Sequence, residues 1–124
     1  MIRRIGLALG ALMLIAADAP VAPPLSAAAS KWVGVYDGGQ MELAAALELR
    51  ADGRFGFELS YGALDEAAEG TWTLKGENIE LAPERYMTND PGNAAKKFGN
   101  GRLTISGENL TLPRYDRLLT FSRR

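Results

Sequence analysis

The sequence contains no cysteine and no histidine among its 124 residues. Without cysteine the chain cannot form a disulfide or present a thiolate, and without histidine it lacks the usual proton shuttle at neutral pH. The sequence also contains no phosphate-binding loop, no dinucleotide-binding fingerprint and no Gly-x-Ser-x-Gly motif. We therefore expect no enzymatic activity, no catalytic residues, no cofactor and no metal site.

The chain also lacks a large excess of either positive or negative charge. Lys and Arg together number 14 and Asp and Glu 15, which gives a formal net charge of −1. Proteins that bind nucleic acid usually carry a strong positive excess. We therefore expect no nucleic-acid partner.

Long apolar runs are absent except near the N-terminus, where Arg3 and Arg4 precede an apolar stretch over 5–17. That stretch is shorter than the ~20 residues needed to span a bilayer. Basic residues before a short apolar stretch and alanines after it are typical of a secretory signal peptide. A buried N-terminal helix is the alternative. We predict a signal peptide over 1–29, cleaved before Ser30, and a single domain over 30–124. A cut after Ala19 is disfavoured because Pro20 would follow it.

The same region has no cysteine that could carry a lipid. We therefore expect no stable membrane anchor after cleavage and a periplasmic or secreted location in a bacterial envelope.

Alternating apolar residues between 42 and 61 predict a β-hairpin with one buried face. A two-residue turn at Asp52-Gly53 would place the two apolar rows on opposite faces. A three-residue loop, Ala51-Asp52-Gly53, instead pairs Leu49 with Phe55 and requires a left-handed residue at Gly53.

The remaining pattern predicts further short strands. Two-residue turns at Gly76-Glu77 and Gly107-Glu108 join hairpins over 71–81 and 103–112. We predict a first strand over 31–36, a second over 40–50, a third over 54–61 and a closing strand over 118–121, with a last turn over 113–116. Residues 62–70 and 82–101 are predicted to be loops, the second with one helical turn over 94–98.

Eight short antiparallel strands predict an all-β fold. We expect a small antiparallel meander that closes into a barrel of about eight strands, since closure leaves no unpaired edge. The alternative is a strongly bent sheet packed on itself without complete closure.

The order and spacing of several short segments resemble a known family. These segments are Gly34-Val35-Tyr36, Ala46-Leu47-Glu48-Leu49, Ala51-Asp52-Gly53-Arg54-Phe55, Tyr61, Gly70-Thr71-Trp72-Thr73-Leu74 and Asn78-Ile79-Glu80-Leu81. Over about residues 32–81 the sequence therefore resembles the N-terminal domain of NlpE-like envelope lipoproteins and, more broadly, lipocalin-like bacterial barrels. The resemblance implies a barrel and an envelope location.

The family's cysteines are missing. Its members carry a lipidated cysteine and a Cys-x-x-Cys pair soon after the first strand, where this chain has 37–41 without a thiol. The resemblance therefore implies neither the copper or redox role of those cysteines nor the lipid anchor.

Charged residues form three candidate groups. Glu48 and Glu58 lie on outward rows of the first hairpin, where charges usually keep a sheet soluble. The acidic residues at 65, 66 and 69 lack the spacing of a dedicated calcium loop. Four arginines near the C-terminus could meet an anionic headgroup or an acidic partner, although terminal basic residues are often only a soluble tail: Arg114, Arg117, Arg123 and Arg124.

Aromatic residues are the candidates for binding. Inside a small barrel such side chains fill the core. Alternatively, the barrel keeps a slot at one end, covered by the 82–101 loop, for a small apolar or amphipathic ligand. The candidate ligand-binding residues are Trp32, Tyr36, Tyr61, Trp72 and Tyr86. The leading prediction is a non-catalytic barrel that binds such a ligand or an envelope component. The alternative is a protein-interaction or structural barrel with a fully packed interior.

Overall fold

The structure, a computed structural model, describes residues 24–92, Phe98 and residues 101–124. Each strand pairs antiparallel with the next, and the last strand pairs with the first, so the sheet closes into a barrel. The elements are α1 (Ala27–Ser30), β1 (Gly34–Asp37), β2 (Leu43–Leu49), β3 (Arg54–Tyr61), β4 (Leu64–Lys75), β5 (Asn78–Thr88), β6 (Gly101–Ser106), β7 (Asn109–Arg114) and β8 (Arg117–Arg123). The predicted eight-stranded, lipocalin-like barrel is confirmed.

The predicted signal peptide falls mostly outside the described residues. The part within them, 24–29, includes all of α1 except its last residue, Ser30, and Ala29 is buried against the barrel. Within the part of the chain that the structure describes, no helix is both long and apolar enough to cross a membrane.

The three predicted hairpin registers are confirmed. In the first, Leu49 pairs with Phe55, and Gly53 has a φ of 84°, the left-handed conformation that the three-residue loop requires. Leu74 pairs with Ile79 in the second hairpin, and Ile105 pairs with Leu110 in the third. Turn glycines therefore determined these pairings, because each accepts a positive φ without steric cost.

The first two strands begin later than predicted. Lys31 and Trp32 form a turn after α1 instead of the start of β1. The helix is favoured because the Ser26 hydroxyl accepts a hydrogen bond from the Ala29 backbone N–H at 3.1 Å. β2 starts at Leu43 because Glu42 has a φ of 65°, which interrupts the extended chain.

The prediction of an exposed loop over 62–70 is wrong. The turn is only Gly62-Ala63, and β4 begins at Leu64. Leu64, Glu66 and Ala68 continue the inward row that ends in Trp72 and Leu74, as the alternating burial of β4 shows. Glu66, a charge in that inward row, interrupted the apolar pattern that would have revealed the strand.

The prediction of a loop over 82–101 is wrong in its first third. β5 continues to Thr88, paired with β4 through an irregularity between Glu69 and Gly70. This bulge accommodates Pro83, which otherwise argues against a continuous strand. The connection between β5 and β6 is therefore 89–100. The predicted helical turn over 94–98 lies outside the described residues, apart from Phe98.

The last turn is also shorter than predicted. Pro113 and Arg114 still belong to β7, and the turn consists of Tyr115 and Asp116, with Tyr115 at a φ of 59°. β8 then extends beyond the predicted 118–121 at both ends.

Side chains fill the barrel interior. Phe98 enters it from the 89–100 connection, with its ring centroid 5.3 Å from Phe57 and 6.3 Å from Phe55. The largest side chains with under 2% of their surface exposed are Tyr36, Phe55, Phe57, Phe121, Leu47, Leu49, Leu59, Ile79, Leu103, Leu110 and Leu119. The described interior is therefore a packed core.

Candidate functional site

Four polar side chains from distant parts of the chain meet at one end of the barrel. Glu66 lies near the start of β4, Tyr86 near the end of β5, Arg114 at the end of β7 and Tyr115 in the turn that follows. Because antiparallel strands run alternately up and down, these positions reach the same end. We call the four residues the Glu66 cluster and this end of the barrel the Glu66 end.

The carboxylate of Glu66 is fully hydrogen-bonded. Arg114 donates from Nε to Oε2 at 2.8 Å and from Nη2 to Oε1. The hydroxyls of Tyr115, at 2.9 Å, and of Tyr86 donate to the same Oε1. The side chain of Glu66 has no exposed surface, and that of Arg114 is 16% exposed. A buried charge is tolerable in this setting because an opposite charge and hydrogen bonds replace its lost water.

The cluster holds Glu66 in its ionised form. Burial by itself raises the pKa of the Glu66 carboxyl, but the Arg114 and tyrosine hydrogen bonds and the positive charge of Arg114 outweigh it, so the pKa lies below its ordinary value. Burial and the adjacent Glu66 carboxylate raise the pKa of both tyrosine hydroxyls. The carboxylate is therefore charged and the phenols are neutral at physiological pH.

Arg114 also covers the aromatic core. Its guanidinium carbon lies 4.9 Å from the ring centroid of Phe98 and 5.0 Å from that of Tyr115. Its Nη1 donates to the Phe98 carbonyl oxygen at 3.4 Å. Arg114 thus links the charged cluster to the buried ring of Phe98, and the cluster closes this end.

A second arginine–tyrosine pair lies at the same end. Arg117 donates to the Tyr61 hydroxyl at 2.6 Å, and its guanidinium carbon lies 4.8 Å from the Tyr61 ring centroid. Gln40 donates to the Leu118 carbonyl at 2.6 Å and so ties the connection before β2 to β8. These contacts extend the polar closure across the end of the barrel.

The five predicted ligand-binding aromatics do not form one site. Trp32, Tyr36 and Trp72 lie near α1, at the opposite end of the barrel, which we call the α1 end; their exposed fractions are 5%, 0% and 2%. Tyr61 and Tyr86 lie at the Glu66 end, each half-buried. The structure therefore separates the predicted slot into two groups.

The other predicted charged groups are also divided. Asp65 and Glu69 lie on the exterior of β4 while Glu66 points inward, so the three carboxylates do not converge. Arg123 lies at the α1 end, where it donates to the carbonyls of Val33 and Lys31 at 2.6 and 2.7 Å. Arg124 pairs with Asp37 at 2.9 Å. The four C-terminal arginines therefore make separate contacts and do not form one basic patch.

The exterior of β1–β5 carries a shallow concavity, which we call the outer groove. Its apolar floor consists of Val35, Ala46, Gly56, Ala67 and Met87, and its volume is about 590 Å³. An adjoining concavity of about 460 Å³ shares Glu58, Ala67 and Met87 and extends to Thr88 and Asn89. Glu48 and Glu58 point outward, as predicted, and line this groove.

Sequence reasoning missed both the Glu66 cluster and the outer groove. A signal for the cluster was present, because a Gly-Ala turn at 62–63 followed by alternation from Leu64 to Leu74 describes a strand with one inward charge. The groove depends on small residues that face outward on adjacent strands, such as Ala46, Gly56 and Ala67. That adjacency becomes visible only once the register is known.

Comparison with known proteins finds no matching family, no similar curated protein and no similar solved structure. The resemblance to NlpE-like proteins therefore stays a prediction.

Proposed function

We propose that this protein is a non-catalytic, extracytoplasmic barrel that binds a protein of the bacterial envelope through its outer surface. In this proposal the interior is only the folding core. The observation that carries it is the combination of a filled interior with an apolar concavity on the exterior.

The packing of the aromatic residues supports this choice. Tyr36, Phe55 and Phe121 have no exposed surface at all, so even a water-sized void does not reach them. Phe98 is buried in the interior against the rings of Phe55 and Phe57, in space that a ligand of lipocalin type would need. An interior ligand would have to displace these side chains, at the cost of their packing.

The state of Glu66 supports a non-catalytic role. A general base needs a lone pair that can reach a substrate proton. Here one carboxylate oxygen accepts three hydrogen bonds and the other accepts the Arg114 Nε–H. The cluster is built to hold a charge in place, which is a structural task.

A small apolar or amphipathic ligand is the second candidate. The half-buried Tyr61 and Tyr86 favour it, since both lie at the Glu66 end and Tyr86 touches Phe98, with ring centroids 5.8 Å apart. Titration with the apolar dye N-phenyl-1-naphthylamine distinguishes the two candidates. Saturable binding that is lost on Phe98→Ala would favour the ligand.

Site-specific photo-crosslinking in intact cells tests the proposed function. A photoreactive amino acid replaces Ala67 in the outer groove or, as a matched control, Thr104 on the exposed face of β6. We expect one defined crosslinked protein from position 67, none from position 104, and recovery of both variants in the extracytoplasmic fraction. Equal crosslinking at the two positions, or retention of the chain in the cytoplasm, would contradict the proposal.

A further inference from the structure

The middle of the outer groove has an unusual arrangement of side chains. One row across β2–β5 reads Ala46, Glu58, Ala67 and Met87, with each residue directly opposite the next. Met87 is 52% exposed. This row therefore presents methyl groups and a flexible thioether around the exposed carboxylate of Glu58.

The charges beside this row are already neutralised. Glu48 pairs with Arg50 at 3.2 Å, Glu69 with Arg85 at 3.1 Å, and Asp37 with Arg124 at 2.9 Å. Glu48 and Glu69 lie in the next row towards the α1 end, whereas Asp37 lies at the β1 end of the row itself, opposite Ala46.

Two carboxylates on this face, Glu58 in the groove and Asp65 in the adjoining concavity, have no cation among the described residues. No described Lys or Arg pairs with Glu58. The Asp65 side chain accepts a hydrogen bond from the neutral Ser60 hydroxyl at 2.8 Å. The charge that the described residues leave uncompensated on this face is therefore negative, and it lies along β3 and β4 towards the Glu66 end.

We infer that the outer groove binds an extended, cationic and partly apolar segment of a partner protein. This inference rests on the proposed function and names the chemistry of the partner. Basic side chains pair with Glu58 and Asp65, and an apolar side chain packs on Met87 and the alanine floor. Methionine suits such a contact because its unbranched side chain adapts to different shapes.

The register sets the spacing of the basic residues. Glu58 is opposite Ala67, and Asp65 lies two residues before Ala67 on the same face of β4. Such diagonal neighbours are about 7–8 Å apart. Residues i and i+2 of an extended chain are separated by roughly 6.5 Å on one side. Two basic residues at i and i+2 therefore match the two carboxylates.

The probe is a capped hexapeptide, Lys-Thr-Lys-Thr-Leu-Thr, titrated into the ¹⁵N-labelled exported protein and followed by NMR. The control peptide has glutamate in place of both lysines. We expect amide shifts at Ala46, Glu58 and Ala67, and no binding of the glutamate peptide. Glu58→Gln should weaken binding about threefold or more, as expected for loss of one exposed ion pair. Glu77→Gln, which removes the same charge from a distant turn, should leave it unchanged.

Several results would overturn the inference. Equal binding of the glutamate peptide, an unchanged affinity in Glu58→Gln, or shifts on another face would each reject it. Shifts that depend on protein concentration without peptide would show that a second copy of the chain occupies the groove. If the lysine peptide fails while position 67 still crosslinks a partner, the cationic chemistry is wrong and the proposed function stands. Failure of both rejects both.

Discussion

The two ends of the barrel are closed by different chemistry. At the α1 end, Ala29 and Trp32 pack on the core, and the polar atoms of Trp72 and Tyr36 make neutral hydrogen bonds to backbone carbonyls, at 3.0 and 2.7 Å. At the Glu66 end the closure is a buried ion pair with two tyrosine hydroxyls. The closure at the α1 end depends on the volume of its buried side chains. The closure at the Glu66 end depends on the pairing of the Glu66 and Arg114 charges.

This difference implies different responses to substitution and to pH. An apolar closure loses stability when volume is removed, whatever the pH. A buried ion pair loses stability when one partner is removed, because the other charge remains buried without compensation. Substitutions at the two ends therefore separate the two modes of closure.

Trp72→Ala should have the largest effect. The side chain is 2% exposed, and its removal leaves a cavity and takes away one of the two hydrogen bonds that the Arg50 carbonyl accepts. We expect a loss of about 3–5 kcal/mol in the free energy of unfolding, measured by urea denaturation at pH 7. Trp72→Phe fills most of the volume and serves as the control. If both variants were as stable as the wild type, the α1 end could not be a packed closure.

Glu66→Gln should have the next largest effect at neutral pH. Glutamine keeps the shape of the side chain but leaves the buried Arg114 guanidinium without an opposite charge. We expect a loss of about 3 kcal/mol in the free energy of unfolding by urea denaturation. The matched control is Glu58→Gln, which should leave the denaturation midpoint unchanged because Glu58 is exposed and has no cation among the described residues.

The pH dependence of the stability difference between wild type and Glu66→Gln tests whether the Glu66 end depends on a charge. The pKa of Glu66 is lower in the folded protein than its ordinary value of 4.5. Ionised Glu66 therefore stabilises the fold above that value, and this stabilisation is lost as the pH falls through the folded pKa. The difference in the free energy of unfolding between wild type and Glu66→Gln should have its full value above about pH 5 and decrease below pH 4.5. A gap that does not change with pH would contradict the assignment of Glu66 as ionised.

Gly53→Ala should have a smaller effect that concerns neither end specifically. Gly53 has a φ of 84°, where a Cβ is strained even though no atom lies within 4 Å of its position. We expect a loss of about 1–2 kcal/mol in thermal or urea unfolding. Gly56→Ala, a position also without neighbours within 4 Å but in a regular strand, is the matched control and should cost far less. Equal losses of stability in the two variants would mean that the positive φ of Gly53 is not the cause of the effect.

Much of the fold was predictable because local signals were unambiguous. Alternation together with Gly53, Gly76 and Gly107 determined three hairpins and their registers. The two wrong loop predictions share one cause. Glu66 interrupted the apolar pattern of β4, and the buried charge is tolerated because Arg114 pairs with it. Pro83 interrupted the extended pattern of β5, and it is tolerated because of the bulge at Gly70. Single-sequence patterns do not contain those contacts.

The candidate site was less predictable than the fold. The aromatic residues were identified as inward-facing or partly so, but the sequence could not show that Trp72 and Tyr86 lie at opposite ends. The ion pair of Glu66 with Arg114 joins residues 48 positions apart, and no local pattern predicts such a pairing. Small outward residues such as Ala67 also give no signal until neighbouring strands are aligned.

Quenching of Trp72 fluorescence by acrylamide tests the central claim that the barrel interior is packed. The measurement uses a Trp32→Phe background, so that Trp72 is the single emitter. We predict strong shielding in the folded protein, since Trp72 is 2% exposed, with quenching rising to the free-tryptophan level only on unfolding in urea. Quenching near that level in the folded protein would reveal an open interior and contradict the account.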